Sequence, residues 1–166
     1  MPYLTWQPSE RDELSLRWIQ QWMAAEALDN ILPPLRLDVT ELPWQVGPAA
    51  AVVCLNMIHI APWSAAEGLI RGAETVLGQG GILFLYGPYL RSGVQTSPSN
   101  MAFDSELRSR NPEWGLRNLE DVARCAALHL RDRLSDLVDQ DLGELPVQIL
   151  IVARQHATGR SSKQRG

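Results

Sequence analysis

From residue 49 to residue 60 the chain reads A-A-A-V-V-C-L-N-M-I-H-I, apolar except for Asn56 and His59. A run without polar alternation predicts a parallel-sheet strand covered on both faces. I-L-F-L-Y (82–86) repeats the pattern and predicts a second buried strand, and P-V-Q-I-L-I-V-A-R (146–154) predicts a third. Y-L-T-W-Q (3–7) and L-R-L-D-V (35–39) read as shorter strands. Between strands the period changes. Leu14, Trp18, Ile19, Trp22 and Met23 recur at helical spacing and predict an amphipathic helix reaching about Leu28. Ser9 would cap that helix, with acids in its first turn, and Pro33-Pro34 ends the segment.

Ser64 and Glu67 form a capping-box pattern that opens a helix through about Leu77, and G-Q-G-G (78–81) stops it. Strand, helix, strand, helix, strand with short connections predicts an α/β domain with right-handed crossovers. Residues 87–102 read as a loop, 103–110 as a short helix, and N-L-E-D (118–121) as the start of another helix to about Leu128. Leu130, Leu134 and Leu137 then continue at helical spacing.

A length of 166 residues fits one domain. A net charge of −4 argues against nucleic acid as the main partner, because phosphate binding requires clustered Lys and Arg. The basic end is expected to be a disordered tail over 156–166, leaving a domain of 1–155. Cys54 and Cys125 lie in apolar runs and read as buried free thiols, and no metal-ligand spacing is present. The sequence shows neither a membrane-length apolar run nor a signal peptide, so the expected location is cytoplasmic, without membrane attachment.

In open parallel sheets, ligands bind beyond the carboxyl ends of the strands. Asn56, Met57 and His59 fall at such an end, Tyr86 ends the next strand, and Tyr89 follows a Gly-Pro turn. Glu10 and Asp38 follow the two earlier strands. A carboxylate accepts two hydrogen bonds at once, which suits ribose hydroxyls and an adenine amino group. Each position also has a plainer reading. His59 fits a satisfied core residue, Asp38 a turn former, and Glu10 a helix-dipole acid.

The strings L-x-W-Q-P-S-E, N-M-I-H-I-A-P-W, G-G-I-L-F-L-Y-G-P-Y, P-S-N-M-A-F-D, L-R-S-R-N-P-E-W-G-L-R and L-E-D-V occur in order. Over residues 3–128 they resemble an uncharacterised methyltransferase-like family of the class I S-adenosylmethionine-dependent superfamily. The resemblance implies a Rossmann-like seven-stranded sheet of order 3-2-1-4-5-7-6, with S-adenosylmethionine as cofactor. It implies cofactor-binding roles for Glu10 at the ribose, Asp38 and Val39 beside adenine, and Asn56 and Met57 under the methionine moiety. It also places a sixth strand at 129–138, against the helical spacing there. His59 and Tyr86 become the catalytic candidates, and Trp63, Tyr89, Asn100, Asp104 and Arg108 the substrate side.

Two departures stand out. The family's Asn-Asn pair near its last strand is replaced here by G-E-L-P-V-Q, and none of the 12 glycines follows a first strand. The Gly-rich cofactor turn is therefore missing, and an N-terminally truncated sheet is expected, lacking the first helix and first strand. A central strand burying five or six apolar side chains contributes about 10 kcal/mol, comparable with the roughly 5–15 kcal/mol that holds a whole domain together.

Three functional readings follow. The first is a methyltransferase for an unknown small-molecule or protein substrate, working with residues beyond these and with His59 as general base. The second is a non-catalytic module acting through protein contacts, and the third is a remnant. Neither the methyl acceptor nor the oligomeric state is legible.

Overall fold

The computed structural model describes residues 4–26, 29–130 and 147–153. The chain divides into two units, Met1–Trp44 and Gln45–Gly166.

In the first unit β1 (Ser9–Glu10) pairs in parallel with β2 (Leu35–Arg36), beside α1 (Glu13–Glu26). The strand expected at 3–7 is reduced to one bridge between Trp6 and Ile31, and regular pairing starts at Ser9. The ladder holds because Leu35 N–H donates to the Pro8 carbonyl (2.9 Å) and Leu37 N–H to that of Glu10 (3.0 Å). Ser9 is thus a strand residue and cannot cap the helix. Asp12 is the cap instead: its Oδ2 accepts the Ser15 N–H at 2.8 Å, and this bond holds the carboxyl below its usual range. Helix α1 forms as its periodicity predicts, but its apolar stripe is open, with Leu14 64%, Trp18 71% and Trp22 56% exposed. Periodicity tells which side chains share a face, not what lies on that face.

In the second unit β3 (Ala49–Leu55), β4 (Leu77–Gly87) and β5 (Val147–Ala153) form a parallel sheet in the order β3-β4-β5. Helices α2 (Trp63–Val76), α3 (Pro98–Arg110) and α4 (Leu119–Leu130) complete it. Ala66, Leu69, Ile70 and Ala73 of α2, Leu83 and Leu85 of β4, and Val122 and Ala126 of α4 are all buried. The opposite row of the sheet is different. Ala51, Val53 and Leu55 register with Ile82, Phe84 and Tyr86, and Val53 and Leu55 are 44% and 59% exposed. The expectation of burial on both faces therefore fails for 49–60 and 82–86: the side chains alternate between a covered and an open face. Two parallel sheets stand among the described residues where the resemblance implies one.

Several boundaries also move. Helix α2 starts after Pro62 with no side-chain cap, and Glu67 Oε1 accepts the Trp63 indole N–H at 2.9 Å, so the capping box does not form. The glycines at 78–81 do not end a helix in a loop, because the chain passes from α2 directly into β4 at Leu77. The register between β3 and β4 slips there, from Ala49↔Leu77 to Ala51↔Ile82, and Gly80 takes φ +76 within the slipped segment. Helix α3 begins at Pro98, five residues before the expected 103, since Ser97 Oγ accepts the Asn100 N–H and Pro98 suits the first turn. His129 and Leu130, assigned by the resemblance to a sixth strand, end α4. The remainder of that strand and the basic tail 156–166 lie outside the described residues. No described helix is long and apolar enough to cross a membrane.

Candidate functional site

Strand β3 stops because Asn56 turns left-handed (φ 60°, ψ −13°), a conformation that Asn tolerates better than most residues. Its N–H still donates to the Tyr86 carbonyl at 2.8 Å, and Met57–His59 then make a single 3₁₀ turn. The turn directs His59 inward, where it is fully buried. Neither imidazole nitrogen has a hydrogen-bond partner among the described residues. Gly87, the last residue of β4, lies directly against the ring. A Cβ at 87 would collide with Nε2, lie 2.7 Å from Cδ2, and come within 3.2 Å of Asn56 Oδ1. Tyr89 packs edge-on, its ring centroid 5.0 Å from that of His59, and its buried hydroxyl likewise has no partner among the described residues.

Burial is the main cause that lowers the His59 pKa, to about 4, and the Arg117 charge adds to it. The Gly115 backbone and Asp104 oppose the shift without reversing it. The imidazole is thus neutral at pH 7, with one nitrogen able to accept a hydrogen bond and the other to donate one. Burial raises the Tyr89 phenol above its ordinary value, with the Cys54 thiol adding to the shift, so it stays protonated. Burial also pushes the Cys54 thiol up to about 11, against the Met57 and Ile58 backbone N–H groups.

Residues 113–118 strap the turn in place. Gly115 N–H donates to the His59 carbonyl at 2.9 Å. Arg117 Nε donates to the Ile58 carbonyl at 2.9 Å, and its Nη2 donates to the carbonyls of Ala61 and Glu113. The same guanidinium lies 6.0 Å from the Trp63 ring centroid. Leu116 N–H donates to Asp104 Oδ1 at 2.7 Å, and Asp104 Oδ2 accepts from Arg108 Nε at 2.9 Å. On the other side, Leu90 N–H donates to the Arg117 carbonyl and Leu119 N–H to that of Leu90, both at 2.9 Å.

The structure therefore brings together Asn56, Met57, His59 and Tyr89 at the carboxyl ends of β3 and β4. Trp63, Asp104 and Arg108 adjoin them through the strap. Asn100 is buried in the first turn of α3 and not in a loop. Tyr86 belongs to the open-face row, in register with Leu55. Glu10, Asp38 and Val39 belong to the first unit. There Glu10 Oε1 accepts the N–H groups of Arg11 (2.7 Å) and Asp12 (3.1 Å). Asp38 Oδ1 accepts from the Thr40 N–H and hydroxyl, at 2.9 and 2.7 Å, and these bonds, backbone first, lower its pKa. Arg11 lies 3.6 Å from its other oxygen. Both acids thus serve local turns, and the Val39 carbonyl accepts the Trp44 indole N–H at 3.3 Å.

Residues 1–140 match the family described as protein of unknown function (DUF938). The chain belongs to the DUF938 family. The crystal structure of the YcgJ protein from Bacillus subtilis resembles it at a TM-score of 0.58 and 14% identity, over 74% of this chain and 50% of YcgJ. At that identity the likeness is one of fold alone, and the chain spans about half the length of YcgJ.

Sequence reasoning did not single out Gly87, Gly115 or Arg117 in this DUF938 chain. A glycine directly after an apolar strand often marks a close backbone approach, which was the available signal for Gly87. Arg117 ends the W-G-L-R string but carried no periodic or chemical cue, because its partners are carbonyls distant in sequence. Among the described residues, no group of three or more His, Cys, Asp or Glu is placed to hold a metal ion.

Proposed function

We propose that this DUF938 chain is part of a Rossmann-like class I S-adenosylmethionine-dependent methyltransferase whose acceptor is a cytoplasmic small molecule or protein. The observation that carries the reading is the neutral, unpartnered imidazole of His59 at the carboxyl end of a parallel strand, where such sheets bind ligands. The residues present fit the cofactor in kind. Asn56 offers an exposed carboxamide at the strand end and Met57 a half-buried thioether. The cofactor supplies an electrophilic methyl group when bound. Once the His59 ring, fully buried in this structure, is reached, its acceptor nitrogen would orient the acceptor nucleophile and take its proton. The nucleophile–methyl bond forms as the methyl–sulfur bond breaks, the electron pair staying on sulfur. Alignment supplies most of what such a displacement requires.

On this reading the working protein includes a further strand along β3, whose outer edge is unpaired among the described residues, and a Gly-rich turn after that strand. Individual hydrogen bonds are worth about 0.5–1.5 kcal/mol net, while association costs at least about 4 kcal/mol. The 166-residue chain should then bind S-adenosylmethionine weakly or not at all. Calorimetric titration of this chain, beside one extended by the in-frame coding sequence upstream, is the test. Micromolar binding by the extended chain supports the reading, and absence of binding by both sinks it. Micromolar binding by the short chain would remove the need for the extra strand.

A second reading, a non-catalytic module acting through protein contacts, draws on the open apolar row of Val53 and Leu55. A stable hetero-complex of the 166-residue chain, with no cofactor binding by either form, would favour it.

A further inference from the structure

We propose that Arg117 is the positioning residue of this site, holding His59 and Tyr89 in register by joining the segments that carry them. The inference rests on the functional reading above only for what the register is used for. The geometry itself is independent of it. The Arg117 side chain reaches the β3 exit, where Nε donates to the Ile58 carbonyl at 2.9 Å and Nη2 to that of Ala61, bracketing His59 on both sides. Its main chain reaches the β4 exit, where its carbonyl accepts the Leu90 N–H at 2.9 Å, one residue beyond Tyr89. Beyond the Asn56–Tyr86 end of the ladder, Arg117 thus ties together the two segments whose rings meet at 5.0 Å.

The chemistry suits arginine and not lysine. A planar fork with several N–H groups can hold carbonyls three residues apart in a fixed geometry, whereas an ammonium acts as a point donor on a flexible stem. Trp63, whose ring centroid lies 6.0 Å from the guanidinium, limits where the fork can go, and the Glu113 carbonyl takes a further bond at 2.9 Å. Two neighbours in the strap brace it. Gly115 N–H holds the His59 carbonyl, and Leu116 N–H is tied to Asp104 of α3.

Nuclear magnetic resonance of the isotope-labelled 166-residue chain and its Arg117→Lys variant tests this. In the variant, exchange of the Gly115 and Leu90 amides should quicken by about tenfold or more, while β4 amides such as Leu83 keep their protection. The His59 ring-proton resonances should move as the Tyr89 ring current changes. Unchanged Gly115 exchange and unchanged His59 resonances would overturn the proposal. So would a uniform loss of protection through β4, which indicates a general stability role. If Arg117→Lys does not fold, the wild-type Arg117 Nε–H decides. Exchange as slow as that of the Gly115 amide supports the clamp, and exchange at the rate of a free guanidinium refutes it. Failure of the extended wild type to bind S-adenosylmethionine would sink the methyltransferase reading and leave these results standing. Equal cofactor affinity and turnover in wild type and Arg117→Lys, with His59 displaced, would sink the positioning role alone.

Discussion

The imidazole of His59 occupies the space that the first side-chain atom of any residue other than glycine would take at position 87. Two strand ends are thereby locked together, since Asn56 Oδ1 also lies 3.2 Å from that point. Gly87→Ala should lower stability by about 1–3 kcal/mol through overpacking. It should also displace His59, visible as altered imidazole resonances. A variant that melts with the wild type and keeps the His59 signals would show that the strand end yields easily.

Acid should weaken the fold through the same ring. His59 is buried neutral with a pKa near 4, whereas the unfolded ring takes its proton near 6.5. Between these values the unfolded chain holds more protons, so the contribution is complete above pH 6.5 and is lost as pH falls toward 4. Its ceiling is about 3 kcal/mol. Melting curves from pH 7 to 4.5 should slope more steeply for wild type than for His59→Gln. Parallel slopes would mean that the imidazole charges without cost.

Asn56 separates fold from chemistry. Glycine removes the Cβ that the left-handed turn crowds, so Asn56→Gly should match wild-type stability or exceed it by up to about 1 kcal/mol, while Asn56→Ala loses about 1 kcal/mol. If the carboxamide binds the cofactor, the glycine variant of the extended chain should bind it less tightly at undiminished stability. Undiminished cofactor affinity would restrict Asn56 to its turn.

The open sheet face gives a contrast between two lengths of chain. Val53→Thr and Leu55→Thr should change the stability of the 166-residue chain by no more than about 0.5 kcal/mol and improve its solubility. In an extended chain whose added residues cover that face, each should cost about 1–3 kcal/mol. Equal small effects in both would mean that the added residues leave the face bare.

Strand positions were legible because an apolar run such as A-A-A-V-V-C-L can hardly be exposed throughout, and its parallel partner I-L-F-L-Y announced itself in the same way. Which of its faces would be covered was not legible: Val53 and Cys54 are equally apolar, yet one is open and the other buried. Caps were misread for a local reason. Ser9 and Ser64 have the right chemistry, but Ser9 is taken by the β1 ladder, and Glu67 prefers the Trp63 indole. At the site, His59 and Tyr89 could be found from their places after strands. The strap could not, because hydrogen bonds from Arg117 to carbonyls 56 and 59 positions earlier leave no pattern along the chain.

The junction at Leu77 has a mechanical meaning. This residue closes α2, its N–H donating to the Ala73 carbonyl, and it also begins β4, so no linker separates helix from strand. The compliant point lies just beyond Leu77: among the described residues, 78–80 have no register partner in β3 or β5, and Gly80 there takes φ +76. A bend in that glycine segment would leave the β4 ladder from Ile82 onward intact. A helix can thus shift at one end of β4 while the other end keeps Gly87 against the His59 ring, with Tyr89 just beyond it in the segment leading to α3.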